Sequence, residues 1–139
     1  MLSQFFKNRL RPFAVSCVLC FGFSFAVAAE TTPGSAYVEL QPNFTLNYGQ
    51  STKVRYLQAA VTLRVRDDLA AVLVTAHLDA VRHAIIMLFS RQSEETVRSS
   101  AGREEILEQA LEVIQELMIQ ETGEVLVDSV LFTSWVIQS

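Results

Sequence analysis

The chain has 139 residues, half of them apolar, and a formal net charge of −4 at pH 7. That length gives one domain with a real core. Lys7, Arg9 and Arg11 give the first 29 residues +3, so the remainder carries −7, an acidic balance that argues against nucleic acid as a partner. Both cysteines, Cys17 and Cys20, lie in that first segment, which excludes a disulfide within the domain. A Cys-x-x-Cys inside an apolar run also lacks the turn and polar neighbours of a redox or metal site.

Residues 1–29 are a leader. Its basic flank precedes an uncharged, Phe- and Val-rich run from Pro12 to Ala29. Two fates fit. Val27-Ala28-Ala29 before Glu30 supplies the small residues of a signal-peptide cleavage site. The same run, retained, is at the short edge for crossing about 30 Å of hydrocarbon. Either way the basic flank stays cytoplasmic and the domain lies beyond the membrane, which in a bacterium means the periplasm: held there by a retained single span, or soluble after cleavage. Residues 30–36 read as a linker of turn composition and 37–139 as the domain.

Tyr37–Leu40 is a strand candidate, interrupted by Pro42 and resumed over Phe44–Tyr48; the proline places it at a sheet edge. Gly49–Ser51 reads as a turn. Lys53–Arg66 alternates, with Leu57, Ala59, Val61, Leu63 and Val65 on one face and Tyr56, Gln58, Ala60, Thr62, Arg64 and Arg66 on the other, a half-buried strand with a partly basic outer face. Asp67 or Asp68 caps the helical segment after it. Leu69–Ser90 is predicted mostly helical, with Leu69, Val72, Leu73 and Ala76 as one apolar stripe and Leu78, Val81, Ile85, Leu88 and Phe89 as another. The two are out of phase, so a break is expected near His77–Asp79, with Asp79 as a second cap. Ser93-Glu94-Glu95 starts a short helical turn. A long helix is predicted over about Arg103–Thr122, with Gly123 as its C′ residue. Val125–Gln138 is β-branched and aromatic, apolar on both faces, and reads as a central strand covered on both sides. The expectation is therefore an α+β domain: a three-stranded, mainly antiparallel sheet covered by two main helices, the last strand antiparallel to the second.

In this order the chain resembles the flagellar basal body-associated protein FliL family. The residues that carry the resemblance are Phe44-Thr-Leu-Asn47, Arg55-Tyr-Leu-Gln58, the Arg82–Ser90 helix, Glu95-Thr-Val97, Ala101-Gly-Arg-Glu-Glu-Ile-Leu107 and Val130–Gln138. Within them Tyr56, Leu57, Gln58, Ser90, Gly102, Phe132, Thr133, Val136, Ile137 and Gln138 are the motif positions. The resemblance implies a single-pass inner-membrane protein with a periplasmic domain similar to the stomatin/prohibitin fold. It implies association with flagellar basal-body and stator proteins in support of rotation, swimming or swarming, and no chemistry. Family members usually have a longer membrane-spanning helix than this leader provides; a released periplasmic paralogue is the alternative.

The residues by themselves offer no catalytic set, metal site or cofactor motif. His77 and His83 are six apart and fall on different helix faces. The adjacent Asp67 and Asp68 point apart and serve better as caps than as an acid–base pair. Gly49–Lys53 lacks the order of a phosphate loop and the helix behind it, and the Asn43-Phe-Thr45 triplet has no meaning in a bacterial periplasm. Glu104, Glu108, Glu112 and Glu116 repeat every four residues on the long helix. A solvated face tolerates this at roughly 0.2–0.5 kcal/mol per like-charged pair. The alternative reading is a contact surface for a basic partner, either Arg64 and Arg66 or Arg82 and Arg91 of a neighbouring copy, in a head-to-tail ring or arc.

Overall fold

Alternation makes Tyr56–Val65 (β3) the strand on which the fold is organised. The computed structural model describes residues 34–48 and 55–138; the leader and the Gly49–Lys53 turn lie outside the described residues. Leu57, Ala59, Val61, Leu63 and Val65 are all buried, as their period of two requires. β1 (Ala36–Glu39) runs antiparallel to β3 from Ala36↔Val65 to Glu39↔Thr62, and β2 (Phe44–Asn47) from Phe44↔Ala59 to Asn47↔Tyr56. The two lie end to end along one side of β3. β4 (Val127–Gln138) runs antiparallel along the other side, from Val127↔Val65 to Gln138↔Tyr56. The sheet thus has four strands, not three. Pro42 lacks the N–H a ladder needs, so the edge expected as one strand is two.

β4 corrects a second expectation. Among the described residues it pairs with β3 alone and one face of the sheet is bare, so β3 is the central strand and β4 an edge. The register steps between Ala60↔Ser134 and Val61↔Phe132, and again between Arg64↔Ser129 and Val65↔Val127, leaving Thr133 and Asp128 as extra residues in β-bulges. Each bulge reverses which parity faces inward. The inner face is therefore Val127, Val130, Phe132, Trp135 and Ile137. Both faces of an unbroken strand look apolar only because the inward set changes parity twice.

Four helices cover the inner face. α1 (Asp68–Ala76) begins at Asp67, whose Oδ1 accepts the Ala70 N–H at 2.7 Å. It buries Ala70 and Val74, while Leu69 and Val72 are exposed. The Leu69/Val72 stripe is thus not the core face. Ala70 and Val74 continue in phase through Leu78 to Val81, Ile85 and Leu88 of α2 (Leu78–Ser90), so both helices bury one stripe. The break nevertheless falls at His77, where the axes bend by 73°. Asp79 lies in the first turn of α2 and is not its cap. The α1–α2 pair is apolar enough together to suggest a broken span, but no single described helix is long and apolar enough to cross a membrane.

α3 (Glu94–Arg98) and α4 (Ser100–Thr122) are capped by Ser93 and Ser99, whose hydroxyls accept the Thr96 and Gly102 N–H groups at 3.1 and 2.9 Å. α4 starts three residues earlier than the sequence suggests, because Gly102 fits inside its first turn, against α3. Gly123, at φ 80°, closes α4 with its N–H on the Ile119 carbonyl at 2.9 Å.

Candidate interaction surfaces

On α4, Ile106, Ala110, Ile114 and Met118 are buried at four-residue spacing. That phase turns Glu104, Glu108, Glu112 and Glu116 outward, and all four are exposed. No basic residue lies between Glu104 and Thr122, and among the described residues none of the four enters an ion pair. The acidic stripe is a real, uncompensated face of the domain.

The arginines behave differently. Arg64 is exposed on the bare face of β3, unpaired among the described residues. Arg66 is engaged within its own chain: its Nη2 donates to Glu124 at 2.5 Å and its Nε to Asp67 at 3.1 Å. Asp67 is held below the usual carboxylate range first by the Ala70 N–H and then by Arg66, and Arg66 is raised by Glu124. Arg82 is also committed. Its Nη1 donates to the Leu40 and Pro42 carbonyls at 3.2 and 2.7 Å while its guanidinium sits 4.4 Å above the Phe44 ring, clamping the β1–β2 connection to α2. Arg55 and Arg98 share Glu94. Arg91 is exposed. The acidic stripe lies on the helical layer and Arg64 on the opposite, bare sheet face, so one chain does not bring them together.

The motif positions mostly build the fold. Phe132 and Trp135 pack with ring centroids 4.8 Å apart, and both lie within 6 Å of Phe89, at 5.8 and 5.7 Å. Trp135 Nε1 donates to the Val97 carbonyl at 3.3 Å, and Arg103 lies 5.6 Å from its ring. This cluster ties β4 to α2, α3 and α4. Leu57 is buried in β3 and Ile137 packs against the core. Ser90 Oγ donates to the Met87 carbonyl at 2.9 Å, and Thr133 Oγ1 to the Ala60 carbonyl at 3.4 Å beside the bulge. Tyr56, Gln58, Val136 and Gln138 lie on the bare sheet face and are exposed.

Among the described residues are two open grooves. One, of about 430 Å³, lies between β1 and α1 and is lined by Tyr37, Val38, Glu39, Ala71, Val72 and Thr75. The other, of about 260 Å³, lies between α2 and α4 and is lined by Ala84, Val113, Glu116, Leu117 and Gln120. Neither brings a histidine beside two carboxylates. His77 Nδ1 stands 3.7 Å from Glu121, and His83 is exposed. Among the described residues no group of three His, Cys, Asp or Glu side chains could hold a metal. Sequence reasoning missed the exposed apolar residues Tyr37, Leu69, Val72, Ile119 and Val125. For α1 the available signal was the shared phase of Ala70 and Val74 with α2, which turns Leu69 and Val72 outward.

The family model for "Flagellar basal body-associated protein FliL" matches residues 37–138, all of this α+β unit but the first residue of β1. The "Flagellar protein FliL" of Escherichia coli K12 is 24% identical over 95 residues, covering 68% of this chain and 60% of that protein. Those of Escherichia coli O157:H7 and Shigella flexneri match to the same extent. The chain thus spans about 60% of the length of these relatives.

Proposed function

We propose, from the premise that the chain belongs to the flagellar basal body-associated FliL family, that it is an accessory protein of the flagellar motor. It associates with the basal body and its stator units and supports rotation under load, in swimming or swarming. The observation that carries this reading is the extent of the family match, residues 37–138, from the second residue of β1 to the last of β4. The role proposed is one of contact, carried by the exposed surfaces of the domain. The leader anchors residues 37–139 on the periplasmic side of the inner membrane. Deletion of the gene should slow swimming most in viscous medium and abolish or reduce swarming. Unchanged motility across viscosities would overturn the reading in favour of a periplasmic scaffold outside the motor.

Within that role the copies assemble head to tail into a ring or arc. The stripe Glu104, Glu108, Glu112 and Glu116 of one copy faces Arg64 of the next, and Arg66 joins only by exchanging Glu124 and Asp67 for the stripe. Exposed pairs contribute about 0–1 kcal/mol each, so charge sets register and apolar contact holds the copies together. Reversal of Glu108 and Glu112 to lysine should loosen the assembly, and Arg64→Glu should restore it. Failure of that rescue would remove the stripe from the interface.

A further inference from the structure

The strand register fixes which end of the domain the chain enters. Ala36, the first residue of β1, is paired with Val65, and Val65 is paired with Val127. The entry point, the end of β3 and the start of β4 are therefore neighbours. Asp67, which caps α1, comes two residues after Val65, and the α4–β4 turn at Gly123–Leu126 immediately precedes Val127. The Arg66 N–H on the Leu126 carbonyl at 3.2 Å and the Arg66–Glu124 ion pair tie these segments together.

Apolar exposure is concentrated at that end. Among the described large apolar residues the five most exposed are Leu69 and Val72 at 65%, Tyr37 at 60%, Val125 at 50% and Ile119 at 47%. Tyr37 is next to the entry residue, and Leu69 and Val72 occupy the first turns of α1 on one helix face. Val125 is in the turn, and Ile119 lies one helical turn before Gly123. Tyr37 and Val72 share the wall of one groove. A soluble surface scatters such residues singly, whereas a gathered set marks a contact.

The short tether between the leader and β1 indicates what that contact is. Only Glu30–Ser35, six residues, separates the apolar run of the leader from β1. Fully extended, six residues span at most about 20 Å. With the leader retained in the bilayer, this end of the domain is held within reach of the headgroups. We infer that the entry end of the domain rests on the lipid surface, with Tyr37, Leu69, Val72, Ile119 and Val125 in the interfacial layer. The inference rests on the proposal that the leader is retained. Its chemistry is apolar burial at the headgroup boundary, not attraction to anionic lipid. Arg66 at this end is already paired to two carboxylates, and Glu39, Asp68 and Glu121 outnumber Arg64. The contact should therefore need no anionic lipid and survive added salt.

The test uses the full chain with Cys17 and Cys20 replaced by serine and a nitroxide attached through Val72→Cys. It is reconstituted into vesicles of phosphatidylcholine and phosphatidylethanolamine, with and without phosphatidylglycerol. Glu95→Cys and Ser100→Cys, both exposed and outside the surfaces proposed to meet a neighbour, are the control sites. The expected result is a several-fold loss of collision with a water-soluble nickel complex at position 72 relative to both controls, with a gain in collision with oxygen, equal in the two lipid mixtures. Adding Leu69→Glu should reverse it. A site at 72 as water-accessible as the controls overturns the inference. So does protection that persists in detergent and fades on dilution, which would assign the patch to a second copy. N-terminal sequencing of the protein from cells separates the two readings: a mature chain starting at Glu30 overturns the retained leader and this contact with it, whereas an intact leader with an exposed position 72 overturns the contact alone.

Discussion

Gly102→Ala tests the tightest packing in the domain. A Cβ built on Gly102 would stand 2.1 Å from the Thr96 carbonyl oxygen and 2.7 Å from both the Thr96 carbonyl carbon and Ser99 Oγ. The first two are backbone atoms, so no rotamer change relieves them. Either α3 moves away or the first turn of α4 opens. Moving α3 shifts Val97, which is fully buried and whose carbonyl accepts the Trp135 Nε1 proton. Opening the turn breaks the Ser99 cap. Overpacking of this kind costs about 1–3 kcal/mol, and alanine's better helix propensity returns at most about 1 kcal/mol. The net expectation is a loss of about 1–2 kcal/mol, which for a domain near 100 residues lowers Tm by roughly 4–8 °C per kcal/mol. Urea unfolding followed by Trp135 fluorescence reads it, because the indole sits where α3, α4 and β4 meet. A native emission maximum shifted by the substitution would show the α3 route. A neutral or stabilising Gly102→Ala would refute the reasoning, since it would mean that α3 and α4 do not approach this closely.

Ser99→Ala removes the α4 cap without the clash and should cost about 0.5–2 kcal/mol, with Ser99→Asp close to wild type in the same urea titration. Gly123→Ala meets no atom within 4 Å, so its cost is the left-handed backbone alone, about 1–2 kcal/mol; Gly123→Asn should lose less, as seen by thermal melting. Asp67 gives a pH dependence of known sign. Its folded pKa is depressed, first by the Ala70 N–H, so its stabilisation is fully present above the unfolded carboxylate value of about 3.9 and is lost as pH falls through the lower folded value. Acid titration of the Asp67→Asn variant should show a shallower loss of stability below about pH 4 than wild type, and an identical acid limb would remove Asp67 from the cap.

The legible parts of the fold are those whose periodicity runs unbroken. β3 alternates across its ten residues and α4 repeats its buried positions every four, so both read correctly, as did the antiparallel pairing of β3 with β4. β4 misled because two bulges change the inward parity inside one apolar run, and no residue type marks Asp128 or Thr133 as the extra one. α1 misled because leucine and valine outrank alanine as core candidates, yet Ala70 is the residue the close helix–sheet contact needs. The surfaces were half legible. The acidic stripe is a property of one helix and shows in the sequence. The commitment of Arg66 to Glu124 spans 58 residues, and that of Arg82 to the Leu40 and Pro42 carbonyls is equally non-local. No local pattern contains either.

That asymmetry between acids and bases limits how copies can meet. Among the described arginines, Arg55, Arg66, Arg82, Arg98 and Arg103 are held by Glu94, by Glu124 and Asp67, by backbone carbonyls, or against Trp135. Arg64 and Arg91 are left for a neighbour, while four glutamates of α4 stay uncompensated. A two-fold contact through α4 would set one acidic stripe against its own copy, with like charges opposed along its length. A contact between the bare sheet faces, where Arg64 and Glu39 both lie, would leave the stripe uncovered. The proposed head-to-tail arrangement, helical layer to sheet face, sets the stripe against Arg64. The exposed Leu131 and Val136 lie on that same bare sheet face, and Ile86 and Met87 on the helical layer, so the pairing the charges favour is also one that can bury apolar surface.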